Sequence, residues 1–334
     1  MARPLRIEYP DACYHVMCRG NQYRNIFESD KDSDLFVRTL GEVCERNGVV
    51  VHAWCLMSNH YHLLIETPNG NLVDAMKWLQ ATFTQRYNAR HQLWGHLFQG
   101  RYKAKIIDDS DPSYFRIVSE YIHLNPMNNK SVKESGLAAY SWSSYPFYLL
   151  PPSKRPKWLL TKEVLSVCGI ASDSAKSRLS YAEYMNELLA VRLKMNDKEK
   201  RDWKRVERGW VHGSTEFRDD MIERLEKSGK ATLKNLTDIS QKRDLGESTA
   251  SAVIEKCLIY FGISEDDLPA ISKSDPRKMM IAGLIRYHYP VSVTWVSEKL
   301  MMGHFSTVSR AMHFYDGAKG DWKKKKRQIL EFIG

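Results

Sequence analysis

The hydrophobic pattern of the first 125 residues switches period in a fixed order, and that order constrains the fold more than any other feature. Tyr14 to Arg19 is a short, partly apolar run closed by Gly20-Asn21, the pattern of a strand ending in a turn. Asp30 to Asn47 carries Leu35, Phe36, Leu40, Val43 and Cys44 at helical spacing, with Gly48 as a stop. Val49 to Met57 and His60 to Glu66 are strand-like runs joined by Ser58-Asn59. Leu72 to Arg90 returns to helical spacing, Phe98 to Ile107 reads as a strand, and Pro112 to Asn125 as a third helix. This order predicts an α+β sandwich of ferredoxin-like type, an antiparallel sheet with helices on one face.

Residues 151–334 are more charged and read as helical, so 334 residues divide into three expected parts: 1–150, 151–269 and 270–334. Pro151-Pro152-Ser153-Lys154-Arg155-Pro156 carries the prolines and charge of a boundary. The net charge of +10 favours a polyanionic partner, nucleic acid before membrane surface. It is unevenly spread. Residues 1–150 hold 16 basic and 15 acidic side chains but seven of the eleven histidines, whereas residues 151–334 hold 34 and 25. The first part therefore suits chemistry, and the second suits phosphate attraction. No apolar run reaches the roughly 18 residues of a membrane span, and Met1 to Pro10 lacks the apolar core of a signal peptide. Six cysteines without a C-x-x-C pair fit reduced thiols, and a cytoplasmic location is expected.

His60-Tyr61-His62 is the sharpest local signal. On a strand the two imidazoles project to one face, about 7 Å apart at the Cα, and can converge on one cation. The same pair also occurs as ordinary decoration of a strand. Tyr121 and Asn125 stand at i and i+4 of the third helix and share a face, with Pro126 placing the amide at its last turn. A carboxamide oxygen and two imidazoles leave open positions on a hard cation for phosphate oxygens. A tyrosine one turn away can then attack a polarised phosphodiester, provided that something takes its proton. Taken alone, Tyr121 reads better as a core tyrosine and Asn125 as a helix cap; beside the histidine pair those readings lose weight.

The ordered motifs His15-Val16 through Arg19-Gly20-Asn21, Met57-Ser58-Asn59-His60-Tyr61-His62, Phe98-Gln99-Gly100-Arg101-Tyr102-Lys103, Tyr121-Ile122-His123-Leu124-Asn125-Pro126 and Trp142-Ser143-Ser144-Tyr145 closely resemble the REP-associated tyrosine transposases, relatives of the single-tyrosine HUH transposases. The resemblance covers roughly residues 1–150. It implies a ferredoxin-like nuclease that cuts single-stranded DNA beside palindromic hairpins. By position it makes His60 and His62 metal ligands, Asn125 the third ligand and Tyr121 the nucleophile, with Mg²⁺ or Mn²⁺ as the ion. It further implies a 5′-phosphotyrosine intermediate and a free 3′-hydroxyl. Tyr61 only partly satisfies the bulky apolar residue usual between the two histidines, and His123 receives no role.

Phe98, Arg101, Tyr102, Lys103 and Lys105 interleave aromatic and basic residues, a strip able to stack bases and hold phosphates. The same spacing fits an amphipathic strand with Phe98 and Tyr102 in the core. Arg3, Arg6, Arg19 and Arg24 are further candidates for phosphate contact. Trp203 to Trp210 mixes aromatics with basic residues in what otherwise reads as a solvated helical linker. Near the C-terminus, Asp275-Pro276 opens a helix to Tyr287, Val293 to Leu300 makes a second, Gly303 turns the chain, and Ser306 is a candidate cap for a third. The run from Val293-Thr294-Trp295-Val296 to Ser306-Thr307-Val308-Ser309-Arg310-Ala311 is similar to the helix-turn-helix domain of the replication initiator DnaA. That resemblance implies duplex DNA contacts from His304, Ser306, Thr307 and Arg310; a generic three-helix protein-binding bundle fits the same pattern. The expected protein is thus a metal-dependent DNA-nicking and strand-transfer enzyme, monomer or homodimer, with no membrane partner. The competing reading is a non-catalytic DNA-binding regulator that keeps the fold.

Overall fold

The computed structural model describes residues 6–196, 198–199, 203–207, 209–227 and 239–333, so the candidate Arg3 lies outside the described residues. Contacts divide the chain into two compact units, one ending at Arg218 and one beginning at Asp219.

The first unit opens with β1 (Ala12–Arg19), α1 (Asp30–Asn47), β2 (Val50–Met57), β3 (His60–Thr67), α2 (Leu72–His91) and β4 (Lys103–Ile107). The strands lie in the order β2-β3-β1-β4, all neighbours antiparallel, which is the ferredoxin-like arrangement that the hydrophobic pattern predicts. A two-residue β5 (Val211–His212) adds a parallel edge to β4, pairing Ile106 with Val211. Strand β4 is shorter than expected: Phe98 makes only an isolated bridge to Gly20, and the chain reaches the sheet at Lys103.

The two crossover helices cover one face. Ser29 and Asp32 form a capping box that starts α1, and Gly48, at φ 68°, ends it in the left-handed conformation. Phe36 of α1 and Phe83 of α2 pack on each other and over Tyr61, whose ring lies 4.8 Å from that of Phe36. All three are fully buried, and each such side chain contributes roughly 1.5–3 kcal/mol of transfer free energy. Tyr61 therefore anchors β3 to this core, and its strand neighbours His60 and His62 must face the other way.

The opposite face is not left bare. Helix α3 (Pro112–Leu124) lies over it, started by Asp111, whose side chain accepts a hydrogen bond from the Ser113 N–H. Asn125 keeps helical dihedrals despite Pro126 and opens a 3₁₀ turn. His123 is locked at both ring nitrogens, 2.8 Å from the Tyr181 hydroxyl and 2.8 Å from Ser144 Oγ, a structural clamp.

Residues 151–156 are not a domain boundary. The Arg155 guanidinium binds the carbonyls of Phe147 and Leu150 and the carboxylate of Asp173. Just beyond, the Leu160 N–H reaches the Val51 carbonyl at 2.8 Å. A buried arginine saturated by local acceptors ties the segment down, so α4 (Lys162–Val167) and α5 (Ala175–Leu193) belong to the sheet's unit.

The second unit contains α6 (Ile239–Phe261), α7 (Pro276–His288), α8 (Val293–Lys299), α9 (Phe305–Asp316) and α10 (Asp321–Ile333). Ala250, Ile254 and Cys257 of α6 share one core with Leu284, Val296, Val308 and Ile329. A division at residue 270 would cut through that core, so the expected third domain begins too late. Gly283 permits close approach of α7 and α9: a Cβ there would sit 2.2 Å from that of Tyr315. The α8–α9 turn follows Gly303, at φ 81°, and the cap of α9 is His304, whose imidazole accepts from the Ser306 N–H; Ser306 itself is not the cap. No helix among the described residues is long and apolar enough to cross a membrane.

Candidate functional site

His60 opens β3 opposite Arg19 of β1, and His62 lies opposite Met17. Their rings face the α3 side with centroids 5.1 Å apart and nearly perpendicular. Asn59 Oδ1 holds His60 Nδ1 at 2.7 Å. His62 is fully buried, and its Nδ1 lies 3.0 Å from Nε2 of His15, which β1 projects from the same face. Its other nitrogen, Nε2, is buried without a hydrogen-bond partner. A buried ring nitrogen without a hydrogen-bond partner suits a ligand position, and a neutral ring is the form that ligates. Burial, reinforced by His15 and His60, holds the His62 pKa well below the ordinary histidine value. His15 is pushed to about 3, chiefly by burial and then by Lys105.

The last turn of α3 brings Tyr121 over this pair. Its ring lies 5.6 Å from that of His62 and 5.9 Å from that of His15. The phenol donates a short hydrogen bond to the carboxylate of Glu207, and Trp203 packs on its ring at 5.4 Å. Glu207 also approaches His62 Nε2, at 3.9 Å. Burial first, then the Glu207 charge, raises the tyrosine pKa well above its usual value. His60, His62, Tyr121, Asn125 and Glu207 line one cavity of about 490 Å³. The four residues expected to act together thus meet in one place. Tyr121 is only 4% exposed, and part of its cover is residues 203–207 rather than the sheet core.

Sequence reasoning missed Glu207 and Trp203, which lie in the stretch read as a solvated linker. Two tryptophans among basic residues were the available signal. Lys105 explains the placement: it is 2% exposed, and its ammonium donates to the Val206 carbonyl at 2.9 Å.

That burial corrects the expected aromatic and basic strip. Lys105 points inward, Phe98 packs against Tyr61 and Phe83, and the Tyr102 hydroxyl reaches the Leu72 carbonyl. These three present no surface to DNA: Phe98 and Tyr102 pack into the core ahead of β4, and Lys105 on the strand faces a side covered by other segments. Arg101 and Lys103 are exposed and line the cavity. Arg19 stacks on Tyr23 at 3.9 Å and donates to Gln99, beside the same opening. Arg24 is exposed and donates to the His96 carbonyl. Arg6 is committed to Tyr102, its guanidinium 3.7 Å over the ring. In the second unit His304, Ser306 and Arg310 are exposed on α9 or at its cap, whereas Thr307 is buried and its hydroxyl accepts from the Arg310 guanidinium at 3.4 Å.

Residues 8–125 match the sequence profile of a family described as "Transposase IS200 like". No curated protein sequence matches the chain at a significant level. Solved structures also resemble it, among them the following two. One is a REP-associated tyrosine transposase bound to a REP hairpin, at 13% identity and TM-score 0.37, covering 48% of this chain and 92% of the other. The second is a putative transposase from Deinococcus radiodurans R1, at 20% identity and TM-score 0.26, covering 34% and 92%.

Proposed function

With residues 8–125 an IS200-like transposase domain, we propose that the chain cuts and rejoins single-stranded DNA beside hairpins through a covalent tyrosine intermediate. The observation that carries this reading is the meeting of Tyr121, His60, His62 and Asn125 in one cavity, with a carboxylate on the phenol.

The chemistry follows from the placement. The Tyr121 O–H bond breaks, and its proton passes to Glu207, which already accepts it as a hydrogen bond. The phenolate oxygen forms the bond to phosphorus while the bond to the 3′-oxygen breaks. The departing oxygen takes a proton from water, and the 5′ end stays on the protein. Reversal by a new 3′-hydroxyl restores a phosphodiester at no further energetic demand. His60, His62 and Asn125 would hold Mg²⁺ or Mn²⁺, the unpaired His62 Nε2 being the observation that fits it. When bound, such an ion polarises the phosphate and offsets charge developing on its oxygens. Arg19, Arg101 and Lys103 at the cavity are the proposed backbone contacts. Since residues 203–207 cover the phenol, the strand reaches it only as they move aside. His304, Ser306 and Arg310 are proposed duplex contacts of the second unit.

A hairpin oligonucleotide labelled at the 5′ end of its downstream fragment tests the reading. A labelled band at the mass of the protein, surviving denaturing electrophoresis, is expected with the native chain and absent with Tyr121→Phe. Binding of the uncut strand should stay within a few-fold. An adduct of equal yield in the variant would refute the assignment of the nucleophile.

A further inference from the structure

A second cluster on the same sheet face lies away from the cavity. Cys13 of β1 and Glu66 of β3 are direct cross-strand partners. The register of β2 slips between Val51 and Ala53, and His52 is the extra residue of that bulge. Bulges re-aim side chains. Here the fully buried imidazole meets the other two, and one donor atom from each of Cys13, His52 and Glu66 lies within 4.8 Å of the others.

We propose that Cys13, His52 and Glu66 form a second metal site, suited to Zn²⁺ and distinct from the histidine pair at the cavity. His62 and Glu66 are four residues apart on a strand, about 13 Å. The donor set decides the metal: a thiolate beside an imidazole and one carboxylate matches zinc, whereas magnesium and manganese are not held by sulfur. His52 Nε2 already sits 3.1 Å from Glu66 Oε2, close to the roughly 3.3 Å between neighbouring ligands of a tetrahedral zinc. Drawing the sulfur inward by about 1 Å would complete three ligands around such an ion. Glu163 of α4 stands 3.7 Å from His52 Nδ1, and neither atom has a hydrogen-bond partner. Closing that gap to a hydrogen bond would set the tautomer that turns Nε2 toward an ion.

Charge gives an independent reason. Among the described residues no lysine or arginine pairs with Glu66 or Glu163. A divalent ion supplies the missing positive charge and tethers β1, β2 and β3 at this end. Glu66 is one quarter exposed, which leaves a route for entry and a water in the fourth position.

The test is titration of the chelator-stripped, full-length chain with Co²⁺. One equivalent should produce a thiolate-to-cobalt charge-transfer band that Zn²⁺ bleaches. The His60→Ala/His62→Ala double variant should keep the band, and Cys13→Ser should lose it. Glu66→Gln, which keeps the thiol and the strand pairing, should keep the band but weaken Co²⁺ affinity at least tenfold. No thiolate band in the native chain, or one that survives Cys13→Ser, overturns the proposal. In that case the hydrogen bond between His52 Nε2 and Glu66 accounts for the cluster.

Discussion

Replacing Lys105 by methionine tests how residues 203–207 are held against the sheet. The lysine is 2% exposed, with its ammonium on the Val206 carbonyl, and burial lowers its pKa from 10.5 to about 8. Between those values the unfolded chain binds the proton and the folded chain does not, so the contribution to stability is complete above 10.5 and is lost as pH falls toward 8. The gap corresponds to about 3 kcal/mol of destabilisation at neutral pH. Methionine keeps most of the stem and removes the charge, but it leaves the carbonyl without its donor, which costs about 1–3 kcal/mol. At about pH 7 the variant should therefore lie between equal stability and a gain of about 2 kcal/mol. By about pH 9.5 the native chain recovers about 2 kcal/mol, and the variant's relative standing should fall by that amount. Urea unfolding of both chains at the two pH values, followed by circular dichroism, measures the difference. Titrating tyrosines and cysteines cancel between the chains. A difference that does not change with pH would refute the burial argument and, with it, this account of what places Glu207.

Glu207→Gln removes the proton acceptor of Tyr121 while keeping its shape. The single-turnover rate of adduct formation should fall about 100-fold or more near neutral pH and climb more steeply with pH, as hydroxide replaces the carboxylate. An unchanged rate would show that Glu207 only covers the phenol. His60→Ala should abolish both cleavage and its dependence on Mg²⁺ or Mn²⁺; retained metal-stimulated cutting would remove His60 from the site. Arg310→Ala should reduce the salt slope of duplex binding by about one, whereas Thr307→Ala should lower thermal stability and leave that slope alone. Equal slopes in all three chains would count against a phosphate contact on α9.

The ferredoxin-like order was legible because each element of the first 125 residues buries one face, and a buried face leaves a period of 2 or 3.6 in the residues themselves. The histidine pair and the Tyr121–Asn125 pair were legible for the same reason, since strand alternation and the helical turn fix which neighbours share a side. His52 shows where local reasoning stops: a single bulge rotates the register, and no pattern in Val50 to Met57 announces it. Lys105 shows the same limit for charge. A lysine beside arginine and tyrosine looks like a phosphate contact until a distant carbonyl is found to receive it.

The chain's own residues thus determined the sheet, its crossover helices and the four side chains expected to act on DNA. Tertiary structure alone decided that Glu207 and Trp203, more than eighty residues beyond Tyr121, close over the phenol, and that Cys13, His52 and Glu66 gather at the other end. Periodicity records only what an element does to its own neighbours. Contacts between segments far apart in the chain depend on how buried charges and carbonyls satisfy one another, and that is settled only when the segments meet.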